Sequence, residues 1–309
     1  MPANATDPVI LIAGEALFDL VLDDSAELAA HPGGGPFNAA RTIGRLEQPA
    51  AYLGRLSRDR FGSRLRTLLA DDGVRLDTVV DTDDPTTLAL AELDAQGTAT
   101  YRFYSRGTSA PGLTPQAALD ALPGAVDMLH IGTLGLALEP VATALEAVTE
   151  RLAGDALVML DPNCRPGVVE DEEAYRARLW RVLAHTDVVK VSDDDLAWLD
   201  PGTPPVDAAR ALLEPGAAAA LLTRGAEGAI VITATDAVSV PAPRVEVVDT
   251  IGAGDAFGGG FLASWRREGR SRERLANLDA VVAATEFACL VAARTCERRG
   301  ASPPRLNEL

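Results

Sequence analysis

Val248-Asp249-Thr250-Ile251-Gly252-Ala253-Gly254-Asp255-Ala256-Phe257-Gly258-Gly259-Gly260-Phe261 is the stretch whose reading decides the fold. Upstream, Val245, Val247 and Val248 make a strand-like pattern that ends at Asp249. Downstream, Phe261, Leu262, Ala263 and Trp265 read as the apolar side of a helix. The spacing therefore predicts a strand, a tight turn of small residues and a helix N-terminus. Successive backbone N–H groups in such a turn converge, and the helix dipole adds about half a positive charge there. That geometry suits an anion, most often phosphate. Only small residues let the anion approach the backbone closely. Asp255 stands one residue past the turn. A carboxylate beside an anion site is unfavourable unless it has a task, and taking a proton from a hydroxyl that attacks a phosphoryl group is one. A plainer reading fits the spacing equally well: Asp255 caps the helix, and Gly252 and Gly254 only make a turn. The stretch has neither the lysine of a Walker A loop nor the glycine spacing of a dinucleotide fingerprint.

The nine residues Asp249 to Phe257 closely resemble the DTxGAGD signature of the ribokinase-like (PfkB) sugar kinases. The resemblance implies that Gly252, Ala253 and Gly254 form the anion hole for the transferred phosphate and that Asp255 is the catalytic base. Gly14-Glu15-Ala16-Leu17-Phe18-Asp19 resembles the GEALxD opening of fructokinase-type members, where the aspartate hydrogen-bonds sugar hydroxyls. Pro32-Gly33-Gly34-Gly35-Pro36-Phe37-Asn38 resembles the family's GGxxxN motif, which makes Gly33, Gly34 and Asn38 sugar contacts. A carboxamide both donates and accepts, so it can grip vicinal hydroxyls. Gly35 stands where ribokinases often have lysine, and Pro36 follows the GGxP pattern of fructokinases.

Asp161-Pro162-Asn163-Cys164-Arg165-Pro166 resembles the DPNxRP of fructokinase and ketodeoxygluconate kinase members, which makes Arg165 a sugar or phosphate contact. A rigid proline turn whose arginine pairs with Asp161 is the alternative. Thr223, Gly225 and Gly228 match the family's nucleotide loop. Lys190, in a predicted strand over 188–191, is placed with the nucleotide contacts. So is Cys289, on a predicted helix from Leu278 to Arg294 that is expected to cover the adenine. Ser192-Asp193-Asp194-Asp195 stands where the family has an acidic motif organising magnesium water, with Asp195 one methylene shorter than the usual glutamate. An acidic helix N-terminus favoured by the dipole explains the same residues. Arg299-Gly300-Ala301 resembles a closing loop that, with carbonyls around Asp249 and Ile251, binds a monovalent cation such as K⁺ in many members.

Strands and helices alternate along most of the chain, from a buried-type strand over 9–14 to a second over 50–56 and on from 126. Between about 76 and 106 the texture differs. Val79-Val80, the run over 86–93 and the run over 99–104 are short β-type segments separated by turn residues. Together with 16–32 they predict a small antiparallel β lid over the sugar. A lid suits phosphoryl transfer, because water would otherwise accept the group. Tyr101 and Phe103 are its candidate sugar contacts, and Arg102 or Arg106 can face the sugar.

The 309 residues carry 28 Lys and Arg against 45 Asp and Glu, a formal net charge of −17. Such an acidic surface argues against nucleic acid and anionic membrane as partners. No run approaches the ~18 apolar residues of a membrane span. The three cysteines lack metal-ligand spacing, and the first residues lack the basic start of a signal peptide, so the expected compartment is the cytoplasm. The expected fold is α/β: a three-layer α/β/α sandwich with a mostly parallel central sheet and a small antiparallel lid, forming one catalytic domain over 1–309. The expected activity is ATP- and Mg²⁺-dependent phosphorylation of a primary sugar hydroxyl, fructokinase-like by motif. Ketodeoxygluconate, ribose and nucleosides are alternative substrates, and a catalytically silent sugar- or nucleotide-binding regulator is the alternative class. The resemblance also implies a homodimer through the lid.

Overall fold

Alternate residues of the first strand face two different cores. Val9, Leu11 and Ala13 point into one, and Ile10 and Ile12 into the other. A strand buried on both faces belongs to the middle of a three-layer sandwich. The computed structural model describes residues 7–22, 28–93 and 99–309. Its strands in chain order are β1 (Val9–Ala13), β2 (Leu17–Leu22), β3 (Leu28–Gly33), β4 (Ala50–Leu53), β5 (Arg55–Ser57), β6 (Val80–Thr82), β7 (Leu88–Leu93), β8 (Ala99–Tyr104), β9 (Val126–Gly132), β10 (Leu157–Asp161), β11 (Val188–Ser192), β12 (Ala219–Thr223), β13 (Ala229–Ile232) and β14 (Ala237–Val240).

Eight of these form the central sheet in the order β14-β13-β12-β11-β10-β9-β1-β4. It is parallel from β12 to β4, and β13 and β14 add an antiparallel edge. The helices Gly35–Arg45, Arg60–Asp71, Ala253–Arg267 and Leu278–Cys296 cover one face. Helices between Pro115 and Ala211 cover the other. Phe37, Phe261 and Trp265 are fully buried on the first face. Burying side chains of this size contributes about 1.5–3 kcal/mol each. No helix among the described residues is long and apolar enough to cross a membrane.

The lid is a four-stranded sheet in the order β3-β2-β7-β8. Two antiparallel hairpins, β2–β3 and β7–β8, are joined by a parallel pairing of β2 with β7. Only Gly14, Glu15 and Ala16 separate β1 from β2, so the lid grows directly out of the central strand. The register aligns Asp19, Ala89 and Phe103 in one row across the lid. In the neighbouring row, on the opposite face, stand Phe18, Leu88 and Tyr104.

Three expectations are corrected. The strand over 50–56 is broken at Gly54 into β4 and β5. A Cβ at Gly54 would lie 2.6 Å from the Gly14 carbonyl oxygen, so the chain turns there at close approach. The segment around Val80 is not part of the lid; β6 pairs in parallel with β5 as a separate ribbon, and Arg58 and Arg66 hold Asp81. The valines before the signature turn form no strand: Val247 and Val248 are 59% and 55% exposed. Val248 N and Asp249 N both donate to the Cys296 carbonyl, which anchors the segment to the last helix instead of to a sheet.

Candidate active site

Parallel strands all end on one edge, and open α/β sheets bind ligands there. Gly14, Gly132, Asp161, Ser192 and Thr223 mark that edge. The signature turn joins it through the N-terminus of the helix Ala253–Arg267. Gly252 caps this helix in the left-handed conformation, φ 77°. A Cβ there would also lie 2.6 Å from the Ala301 Cβ, so glycine is required twice over. Asp255 therefore does not cap the helix. It lies in the first turn, and its Oδ2 accepts from Asn38 Nδ2 at 2.9 Å. Burial raises its pKa, while the Asn38 hydrogen bond and the charges of Lys190 and Arg165 work the other way. A carboxylate with a raised pKa is a stronger base.

Asn38 lies 217 positions from Asp255 in the chain and meets it because the helix Gly35–Arg45 packs beside the signature helix. Its Oδ1 is buried and has no partner, leaving an acceptor for a ligand hydroxyl. Gly33 packs against Asp19; a Cβ there would reach within 2.0 Å of the Asp19 carboxylate. Gly34 has φ 106° and sits against the Glu15 carbonyl oxygen. Asp19, on the lid, is pushed up to about 6 by burial and by the Asp255 charge, with Arg165 opposing. Arg165 thus lies within electrostatic reach of both carboxylates. It does not pair with Asp161; its Nη1 donates to the Cys164 carbonyl at 3.0 Å. Phe103 packs in a small apolar cluster with Leu17, Ala89, Leu134 and Val168. The side chain of Tyr101 lies outside the described residues. Arg106 pairs with Glu170 at the surface, and Arg102 is exposed.

Lys190 lies in the middle of β11, and its Nζ reaches the turn and donates to Asp161 Oδ2 on β10 at 2.8 Å. Thr223 and Gly225 continue the edge from β12, with Gly225 at φ 52°. Gly228 has φ 95°, and a Cβ there would come within 2.1 Å of the Val240 carbonyl oxygen. One expectation fails here. Cys289 is 4% exposed inside the core cluster under the last helix, so its thiol is not offered to an adenine. Asp195 is buried: its Oδ1 accepts from Cys164 N, and its Oδ2 from Ser192 N and Ser192 Oγ. With those bonds it is a capping-box residue that ties two strand ends together. Asp249 Oδ2 accepts from Gly300 N at 2.8 Å and Oδ1 from Ile251 N at 3.0 Å, folding the closing loop onto the signature.

Glu15 carries a role that the motif reading missed. It is buried and accepts from Thr133 Oγ1, from Gly35 N at 3.2 Å and from Gly135 N at 3.3 Å. It therefore clips the glycine turn before the helix Gly35–Arg45 to the turn after β9, where Thr133 adopts φ 55°. Burial pushes its pKa up to about 7, with the Thr133 hydrogen bond opposing. The folded protein thus holds a proton that the unfolded chain releases. This contribution to stability is present below the unfolded carboxyl range and lost as pH rises to about 7. Glu15→Gln should flatten the fall in urea midpoint between acid and neutral pH; an identical fall in both proteins would refute this.

The sequence matches the pfkB family carbohydrate kinase over residues 9–308. A fructokinase of Rhizobium leguminosarum bv. trifolii is 37% identical over 276 residues, covering 88% of this chain and 84% of that protein. Among solved structures, fructokinase from Xylella fastidiosa with bound ATP superimposes with a TM-score of 0.88 at 28% identity, covering 97% of this chain and 96% of the other. Fructokinase from Vibrio cholerae O395 with fructose, ADP and calcium ion superimposes with a TM-score of 0.84 at 26% identity, covering 96% and 95%. The fold and site define a ribokinase-like phosphotransferase. The chain belongs to the pfkB family of carbohydrate kinases, and it is a sugar kinase.

Proposed function

We propose that this kinase transfers the γ-phosphoryl group of ATP to a primary hydroxyl of fructose. One observation carries the chemistry: a carboxylate of raised pKa, Asp255, stands at the mouth of a small-residue helix N-terminus and touches the sugar-turn amide of Asn38. Asp255 takes the hydroxyl proton as the oxygen attacks phosphorus. The backbone N–H groups of Gly252, Ala253 and Gly254 stabilise charge on the transferred group. Asp19, Gly33, Gly34, Asn38 and Arg165 orient the sugar, and Phe103 closes on it from the lid. Thr223, Gly225 and Gly228 form the nucleotide side.

Mg²⁺, when bound, neutralises charge across the nucleotide phosphates. Among the described residues no group of three or more His, Cys, Asp or Glu side chains converges as a ligand set, so phosphate and water oxygens supply most of its shell. The loop pair Asp249–Ile251 and Gly300 fits a monovalent cation such as K⁺, held by backbone carbonyls. The acceptor test is ADP release with Mg-ATP across fructose, ribose, ketodeoxygluconate and a nucleoside. The highest kcat/KM is expected with fructose. A higher value with another acceptor corrects the substrate, and no turnover on any of them favours a silent binder.

The site and the acidic surface fit a cytoplasmic enzyme. A homodimer through the outer lid face is part of the same reading. Leu28 and Tyr104 are 58% and 51% exposed on its two edge strands, and Phe61 packs tilted on Phe18 between them at a centroid distance of 4.4 Å. Large apolar groups exposed across one face suit a partner. Light scattering should give twice the chain mass, and Tyr104→Asp should halve it. A monomeric wild type would refute the dimer.

A further inference from the structure

The chain contains a single lysine, Lys190, against 27 arginines. The one compact ammonium stands against the signature turn. A Cβ at Gly254 would lie 3.0 Å from its Nζ, so the charge rests against the backbone of the anion turn. The side chain is 5% exposed, and its carboxylate partner Asp161 is 1% exposed. Asp161 uses one of the three N–H donors, and Asp161 Oδ1 is itself buried without a partner. An ion pair that served only to close a core would satisfy both oxygens. Here one carboxylate oxygen is left without a partner.

We propose that Lys190 is a catalytic residue that touches the transferred phosphoryl group, with Asp161 as the positioning residue that aims it. The inference rests on the kinase reading of the same site and assigns Lys190 to the moving phosphoryl group, not to the nucleotide that stays behind. In the step, the sugar oxygen forms the new bond to phosphorus and the phosphorus–oxygen bond to ADP breaks. The hydroxyl proton passes to Asp255, and Lys190 keeps its own proton throughout. A compact charge with rotatable donors can follow three oxygens as they flatten, whereas a rigid fork cannot. Desolvation opposes charge on Lys190, but Asp161, Asp195 and Asp255 outweigh it and raise its pKa, so it remains an ammonium.

The lone lysine makes the test direct. Protein grown with ¹³C-labelled lysine has one labelled side chain, and its ε-carbon resonance reports on Lys190 alone. Adding ADP, Mg²⁺, fructose and aluminium fluoride, a mimic of the transferring phosphoryl group, should shift this resonance; ADP, Mg²⁺ and fructose without aluminium fluoride should shift it much less. Equal shifts would return Lys190 to the nucleotide, and no shift would remove it from the site. In parallel, Lys190→Met should lower kcat by about 10²–10³-fold, with the sugar KM changed by less than about threefold. Lys190→Ala should regain activity with added primary amines, which a purely structural loss would not allow. Wild-type turnover with an equally active Lys190→Met sinks the lysine assignment alone. A wild type inactive on every acceptor sinks the kinase reading, and the labelled resonance still decides the contact.

Discussion

Asp255→Asn should lower turnover by about 10²-fold or more while fructose and nucleotide still bind. The amide is isosteric with the carboxylate and can still hydrogen-bond Asn38, so the helix and the sugar turn stay in place. What it loses is the ability to accept a proton from the attacking hydroxyl. The loss should appear in kcat and kcat/KM together, with the sugar KM nearly unchanged, because the missing interaction is made only in the transition state. Steady-state ADP release and fructose titration calorimetry on the same preparation separate the two quantities. Activity within about threefold of wild type would remove Asp255 as the base.

Asp72→Ala should cost about 3–5 kcal/mol of folding stability. Asp72 is a single carboxylate, 2% exposed, that receives Arg41 Nε at 2.8 Å, Arg45 Nε at 2.9 Å and Arg305 Nη2 at 3.3 Å. Arg305 is half exposed and loses little. Arg41 is buried and Arg45 is largely covered, and both would be left as uncompensated charges. The same arginines hold the C-terminal loop: Arg41 Nη1 donates to the Ala301 carbonyl at 3.2 Å and Arg45 Nη1 to the Pro303 carbonyl at 2.6 Å. Ala301 in turn packs on Gly252. The variant should therefore show a lower urea midpoint at unchanged slope, together with weaker binding at the signature turn. A loss below about 1 kcal/mol would mean that the cluster is a solvated network.

The signature turn was legible because its chemistry is local: small residues, a helix start and a carboxylate lie within nine consecutive positions. The layered fold was legible for a similar reason, since strands buried on both faces read as apolar runs separated by amphipathic helices. What escaped depends on contacts across the chain. Nothing near Glu15 announces that Thr133 and Gly135 will donate to it from more than a hundred residues away. Nor does the acidic run around Asp195 announce the bond it accepts from Cys164 N. The valines before the turn have a strand pattern, but Val247 and Val248 stay exposed, and Val248 N and Asp249 N donate to the Cys296 carbonyl instead of to a strand. Cys289 shows the same limit in reverse, because its helix is apolar on both sides and periodicity cannot say which side a ligand meets.

Asp19 belongs to the lid and Asp255 to the body, and the charge on Asp255 makes ionisation of Asp19 harder. Lowering the lid on an empty cleft brings like charges together. A neutral polyol that fills the gap offers hydroxyl donors to both carboxylates and removes that repulsion, whereas an arriving polyphosphate adds to it. The gap between the two carboxylates therefore favours a neutral hydroxyl donor over an anion.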